Sequence, residues 1–362
     1  QRSTAWRLHW IVLGKREPYP LTEESRTARP FMPWVGGKGK LKEIIYQVFP
    51  PDVTRFADHF GGSGAMLLGL PPKADRLDVY NDFDAELTNL FRCVRDRLLA
   101  LTEELKIFPI QSEAEYAMLR DMLKRRQPIP DFTQDELRAA RSILSPEQYQ
   151  EVREILMGRT QFWNVRRAAA YFKVIRYSYS GTGNSFGVHK VNLSGALELM
   201  EAASQRLEGV PITNRDCCHS IKLNDSPYTL HYCDPPYYQA EDKYRVGFTW
   251  EDHLRLHEAL RHCKGYAVVS YNFDPVITDL YQDFYILRFD RKNSLAKKKG
   301  AVYREIIITN FDPRPVVDYN IRQMSMFNRW DSHQEEGALE LVHQPEKPLR
   351  LGAGPCKAGV YR

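Results

Sequence analysis

Residues 54–82 read TRFADHFGGSGAMLLGLPPKADRLDVYND. Thr54 to Phe60 has the composition of a short strand and runs directly into Gly61-Gly62-Ser63-Gly64. Ala65 to Leu70 then begins a helix, which Pro71-Pro72 stops. Arg76 to Tyr80 reads as a second strand, followed by Asn81-Asp82. Strand, glycine loop, helix, strand, acid is the order of an α/β sheet that binds a nucleotide-like ligand at its strand ends. Gly62 and Gly64 allow backbone to approach such a ligand closely. Asp82, about 20 residues beyond the loop, can accept hydrogen bonds from ribose hydroxyls. A helix cap or a solvated acid is the plainer alternative for Asp58 and Asp82.

Working outward, Pro30 to Gly39 is a Pro/Gly-rich loop, and Leu41 to Val48 a helix ended by Pro50-Pro51. Sheet signals return at Val210 to Thr213 and Thr229 to Cys233, then at Tyr266 to Tyr271, Phe284 to Phe289 and Arg304 to Phe311. Helices are expected at Glu251 to Cys263 and Asp274 to Tyr281. Between the two sheet portions, Phe91 to Leu207 is helical and charge-rich, and reads as an insertion. Within it, residues 164–178 (NVRRAAAYFKVIRYS) form a helix candidate bearing Arg166, Arg167, Lys173 and Arg176. A glycine-rich polar loop, Gly181 to Lys190, follows. Beyond Asp312 the periodicity is weak, and a disordered or loosely packed tail is expected.

The residues with the most chemical content are Asp234-Pro235-Pro236-Tyr237, directly after the apolar strand LHYC. Two prolines lack backbone donors and have fixed φ, so the chain must leave the sheet in a rigid turn. That turn presents a carboxylate, a carbonyl and an aromatic ring at the carboxyl end of a strand. An amino group on an aromatic base is a poor nucleophile, because its lone pair is delocalised into the ring. Acceptors that take both N–H bonds localise that pair; Asp234 and the Pro235 carbonyl can supply them. Tyr237 can stack on a base taken out of a duplex.

Composition narrows the classes. With 43% hydrophobic and 27% charged residues the chain is an ordinary globular protein of about two domains. No apolar run approaches the roughly 18 residues of a membrane span. Net charge is +5, compatible with a polyanionic partner only if concentrated on one face. Six scattered cysteines form no C-x-x-C pair, as in a reduced cytoplasmic protein, and no signal-peptide pattern is legible in Gln1 to Arg29. The 10 histidines show no H-E-x-x-H spacing, so no metal is expected. Gly36-Gly37-Lys38-Gly39-Lys40-Leu41 is not a P-loop, which argues against an NTPase.

The ordered set PFMPWVGGKGKL, FADHFGGSGA, YNDFD, ITNRDC, YCDPPYY, VVSYN and REIIITNF resembles the Dam-type adenine-specific DNA methyltransferases over about residues 30–312. The resemblance implies a Rossmann-like methyltransferase sheet with helices on both faces, S-adenosylmethionine as cofactor and double-stranded DNA as partner. It implies a catalytic domain of residues 30–90 and 208–312 and a mainly helical target-recognition insertion of residues 91–207. Residues 1–29 and 313–362 then remain as an N-terminal extension and a C-terminal tail. By position, Trp34 and Lys38 match cofactor contacts, Asp82 the ribose-binding acid, and Asp216 an acid near the cofactor's adenine. Asp234 and Tyr237 match the catalytic pair, and Asp234 also reaches the cofactor's methionine side. Two departures stand out. Asp58-His59-Phe60 replaces the family's usual Glu-Pro-Phe, and Cys217 replaces the Phe that usually follows Asp216.

For DNA, Arg159, Arg166, Arg167, Lys173, Arg176 and Lys190 are candidate phosphate contacts, and Asn184 or His189 candidate base readers. A solvated helix face is the plainer reading of the arginines, and a solvated loop that of Lys297-Lys298-Lys299. Two rival functions stay open at this stage. One is a methyltransferase acting on RNA or a protein amide; the other is a DNA-binding module that keeps the fold without turnover.

Overall fold

Residues that must be buried on both faces of a sheet read as continuous apolar runs rather than alternating ones. The central strands have that character. A computed structural model describes residues 27–34, 36–107, 110, 112–124, 133–159, 163–187, 192–238, 247–292, 302–326 and 339–349. They group into two compact units, one from within 40–61, 74–83 and 215–362, the other from within 1–39, 62–73 and 84–214.

In the first unit the strands are β1 (Arg55–Asp58), β2 (Leu77–Asn81), β3 (Thr229–Cys233), β4 (Tyr266–Asn272), β5 (Tyr285–Lys292), β6 (Val302–Thr309) and β7 (Glu340–His343). They hydrogen-bond in the order β2-β1-β3-β4-β6-β5-β7. β1 pairs in parallel with β2 and with β3, placing Ala57 opposite Val79 and His231. β3 and β4 are also parallel, with Tyr232 opposite Val268. β6 runs antiparallel to both β4 and β5. A mixed sheet flanked by helices is the Rossmann-like arrangement expected. All of β3 is buried, as is β4 up to Tyr271. The helix Trp250–Arg261 starts with a Thr249/Asp252 capping box and buries His253, Leu256 and Leu260, one stripe at helical spacing.

The expected loose tail is corrected within the described residues. Arg314–Met326 is a helix, and Glu340–His343 adds β7 to the edge of the sheet beside β5. The helix is anchored at long range: Asn320 Nδ2 donates to the carbonyls of Tyr46, Gln47 and Phe49 at 3.3, 2.8 and 3.0 Å. Such a partner more than 270 positions away leaves no local pattern. Residues 350–362 and 1–26 lie outside the described residues.

The second unit centres on the helix Val165–Arg176, in which Val165, Ala168 to Ile175 are buried. It packs against the helices Ala85–Asp96, Leu98–Ile107 and Glu113–Lys124. Three consecutive alanines let these neighbours approach closely, so the helix is an interior one.

Beneath the parallel strands runs a polar chain that explains His59. Asp225 accepts from His231 Nε2 at 3.2 Å and from the Lys264 and Gly265 amides. His231 Nδ1 then lies 2.9 Å from His59 Nε2, and His59 Nδ1 lies 2.9 Å from the Ser220 hydroxyl. A carboxylate only accepts, so the protons are assigned in one direction, Ser220 to His59 to His231 to Asp225, with both imidazoles neutral. Burial holds both histidines below their usual range, the neighbouring imidazole adding to the shift at His59. Burial pushes Asp225 up, but hydrogen bonds from His231, Lys264 and Gly265 outweigh it and bring its pKa down to about 2.

Neutral buried histidines must refuse protons that the unfolded chain accepts below its pKa of 6.5. Unfolding is therefore favoured as pH falls. Thermal melts are expected to show stability dropping from about pH 7.5 to pH 5.5, by up to about 1.4 kcal/mol per pH unit per histidine below the unfolded pKa. A His59→Gln/His231→Gln variant is expected to flatten that slope. An unchanged slope would remove these residues from the pH response.

Candidate active site

The Pro235-Pro236 pair ends β3, and the chain turns at Asp234. Asp234 is half-buried and accepts a hydrogen bond from Ser270 Oγ on β4 at 3.0 Å. The Ser270 hydroxyl lies in turn 2.9 Å from Tyr232 Oη. Three residues on, the Tyr237 hydroxyl donates to Glu305 Oε2 of β6 at 3.1 Å, which fixes the far end of the ring. The Tyr237 ring lies 6.1 Å from that of Tyr271. Tyr238 meets Trp250 edge-on at 5.4 Å, and Phe248 meets His253 edge-on at 4.7 Å. Aromatic rings therefore cluster at the carboxyl ends of β3 and β4, and Trp250 is exposed among them.

Two acids stand on neighbouring strand ends and a third at the start of a helix. Asp58, at the end of β1, is 1% exposed. Asp82 follows β2 and is half-buried. Asp216 caps the helix Cys217–Asn224, accepting from the Cys218 and His219 amides at 3.1 and 3.2 Å, and also pairs with Arg255 at 3.1 Å. An Asp directly before a helix is a local N-cap signal, independent of any ligand. Asn81 ties the three loops together. Its side chain donates to the carbonyls of His59 and Arg215 at 3.1 and 3.0 Å and accepts from the Arg215 amide at 3.1 Å. Next to it, Gly61 is obligatory: a Cβ there would lie 2.2 Å from the buried Tyr80 ring.

In the second unit, Trp34 and Gly62 are brought together. Gly62 has φ +49°, and a Cβ on it would sit 2.7 Å from Trp34 Nε1. Gly64 has φ +72° and faces Phe91 in the same way. Lys38 is buried, with Nζ donating to the Gly36 carbonyl at 3.1 Å. The basic helix is not a solvated face. Arg167 donates to Glu86 through Nε, at 2.7 and 2.6 Å to its two oxygens, and to the Leu123 carbonyl at 2.9 Å, so an internal carboxylate takes the place of a phosphate. Lys173 is buried beside Glu104, and burial lowers its pKa. Arg166 and Arg176 are half-buried. The segment Ser178 to Gly187 is closed on itself by Tyr179 N to Ser185 O at 2.9 Å and Gly187 N to Tyr177 O at 2.8 Å, leaving Tyr179 and Asn184 exposed. His189 and Lys190 lie outside the described residues, as does the Arg159 side chain.

A Rossmann-like sheet ending in an acid, two prolines and a tyrosine defines a methyltransferase that works on an amino group. Residues 34–295 match the family described as D12 class N6 adenine-specific DNA methyltransferase, and the chain belongs to it. It is similar to the type II methyltransferase M1.LlaDCHI of Lactococcus lactis subsp. cremoris, with 26% identity over 78% of this chain and 95% of the relative. It is also similar to the type II methyltransferase M.CviBI of Paramecium bursaria Chlorella virus NC1A, with 21% identity over 78% of this chain and 97% of the relative. The chain is thus an enzyme that methylates adenine in DNA, and its chemistry draws on a methyl donor. Among the described residues no helix is long and apolar enough to cross a membrane.

Two glycine variants separate fold from binding. Gly61→Ala is expected to lower stability by about 1–3 kcal/mol, because the Tyr80 ring is packed and cannot yield. Gly62→Ala is expected to displace Trp34 and alter its fluorescence, while the strained φ costs about 1 kcal/mol. Denaturant melts and emission spectra check both; an unshifted Trp34 signal would contradict the close approach.

Proposed function

We propose that this protein transfers a methyl group from S-adenosylmethionine to the N6 amino group of an adenine at a specific site in double-stranded DNA, after turning that base out of the duplex. The observation that carries the reading is the Asp234 corner: a carboxylate with an oriented donor behind it, set beside a tyrosine whose hydroxyl is tied down. Asp234 and the Pro235 carbonyl accept the two N–H bonds of the adenine, leaving its lone pair directed along the line of attack. Tyr237 stacks on the extruded base, its ring held by Glu305. When bound, the cofactor supplies a sulfonium-borne methyl group open to direct displacement, a reaction that calls for no metal.

Trp34, Lys38, Gly62, Gly64, Asp82, Asp216 and Asp234 are the proposed cofactor residues. The residues present suit such a ligand. Gly62, at φ +49°, lets the Trp34 indole lie directly against the loop backbone, and Asp82 is a half-buried carboxylate able to accept from hydroxyls. Residues 91–207 are proposed as the target-recognition region. Arg166, Arg176 and Lys190 are its proposed phosphate contacts and Asn184 its base reader. Arg167, paired internally with Glu86, contributes by holding its helix. Both relatives carry the description type II methyltransferase, which supports a modification enzyme of a restriction–modification pair, acting in the cytoplasm.

Incubation with unmethylated duplex DNA and labelled cofactor is expected to label adenine. Asp234→Ala is expected to lose on the order of a hundredfold or more in rate while still binding DNA. Equal labelling by both would refute the role of Asp234. DNA affinity is expected to fall steeply with salt, as counterion release requires, and a flat response would remove the phosphate contacts.

A further inference from the structure

We propose that Ser270 is a positioning residue for methyl transfer, holding the Asp234 carboxylate through its hydroxyl, and that Tyr232 fixes the direction in which that hydroxyl donates. The inference rests on the adenine chemistry assigned above to Asp234.

Strand register brings the three side chains together. Tyr232 and Asp234 are two positions apart, so they project from the same side of the chain at the end of β3. Tyr232 stands opposite Val268 on β4, and Ser270 is two residues beyond Val268, on that same side. Ser270 Oγ is 3.0 Å from Asp234 Oδ1 and 2.9 Å from Tyr232 Oη. Tyr232 and Ser270 are 1% and 3% exposed, so water does not compete for these bonds.

Proton counting gives the chain a direction. An ionised carboxylate only accepts, so Ser270 must donate its single proton to Asp234. Ser270 can then only accept from Tyr232, whose hydroxyl must donate. Tyr232 keeps that proton: burial and the charge of Asp234 both raise its pKa well above the ordinary tyrosine value. The result is a one-way relay of donors, Tyr232 to Ser270 to Asp234, ending on the acceptor that the adenine amino group must meet. A carboxylate on a single bond rotates freely unless something holds its plane. The Ser270 hydroxyl supplies that hold before substrate arrives, so the orientation is not gained at the cost of the transition state.

The test uses the full-length protein, duplex DNA lacking adenine methylation, and labelled S-adenosylmethionine. Ser270→Ala is expected to lower kcat on the order of tenfold to a hundredfold, the size of a hydrogen bond to a charged group, with KM for DNA and for the cofactor within about twofold of wild type. Ser270→Thr keeps the hydroxyl and is expected to recover kcat to within a few-fold. Tyr232→Phe leaves Ser270 able to donate but undirected, and is expected to cost about threefold to tenfold. Melting curves of each variant confirm the fold.

Wild-type kcat in Ser270→Ala would overturn the proposal. So would Ser270→Thr as slow as Ser270→Ala with both proteins folded, because packing rather than the hydroxyl would then be responsible. A wild-type protein that transfers no methyl group to DNA would overturn the reaction assigned to Asp234 and this role with it. Activity in wild type with indifference at residue 270 overturns this role alone.

Discussion

A carboxylate at the end of a buried parallel strand needs polar groups around it to set its orientation. Asp234 has them because the neighbouring strand β4 places a hydroxyl beside it, and β3 itself places a second hydroxyl behind that one. The Pro-Pro pair that follows removes two backbone donors from the corner and fixes its path. Side-chain donors do the orienting, and they are set by strand register. Tyr237 is treated the same way from the other side, with Glu305 of β6 taking its hydroxyl. The carboxylate is therefore held by the next strand and the ring by the strand beyond it, so the corner depends on the order β3-β4-β6 as much as on the four residues of the motif.

The strand ends beyond that corner are held by polar groups with few alternatives. Asn81 has three backbone partners on two different loops, with Nδ2 donating to two carbonyls and Oδ1 accepting from an amide. His59 stands where the family usually has proline, and it is accommodated by a chain of three further polar side chains ending at Asp225. The chain ties the Cys217–Asn224 helix, through Ser220, to β1 and β3. Since Asp216 caps the same helix, a departure in one motif and the acid of another are parts of one mechanical arrangement.

Basic residues in a helical region invite assignment to DNA, and here the physics sorts them. Arg167 has a carboxylate and a carbonyl within the unit, and Lys173 is desolvated beside Glu104. Neither head group is presented to solvent, because the Val165–Arg176 helix lies at the centre of its unit, buried along most of its length. The charges of Arg167 and Lys173 serve internal pairing, while exposed groups such as Asn184 sit on the short loop closed by Tyr179 and Gly187.

Sequence by itself determined the alternation of strand, glycine loop, helix and acid, and located β3 to the residue at Thr229–Cys233, because apolar runs and proline or glycine stops are local signals. It also determined the family and the acid–proline–proline–tyrosine corner, since those are contiguous residues. Tertiary structure decided the rest. Ser270 and Glu305 touch the corner only because strands far apart in sequence become neighbours in the sheet. Asn320 anchors the helix after Asp312 through carbonyls near residue 47, against the weak local pattern that suggested a loose tail. Whether an arginine faces a phosphate or a glutamate is likewise settled by what packs around it, and packing partners leave no periodic mark on the chain that carries them.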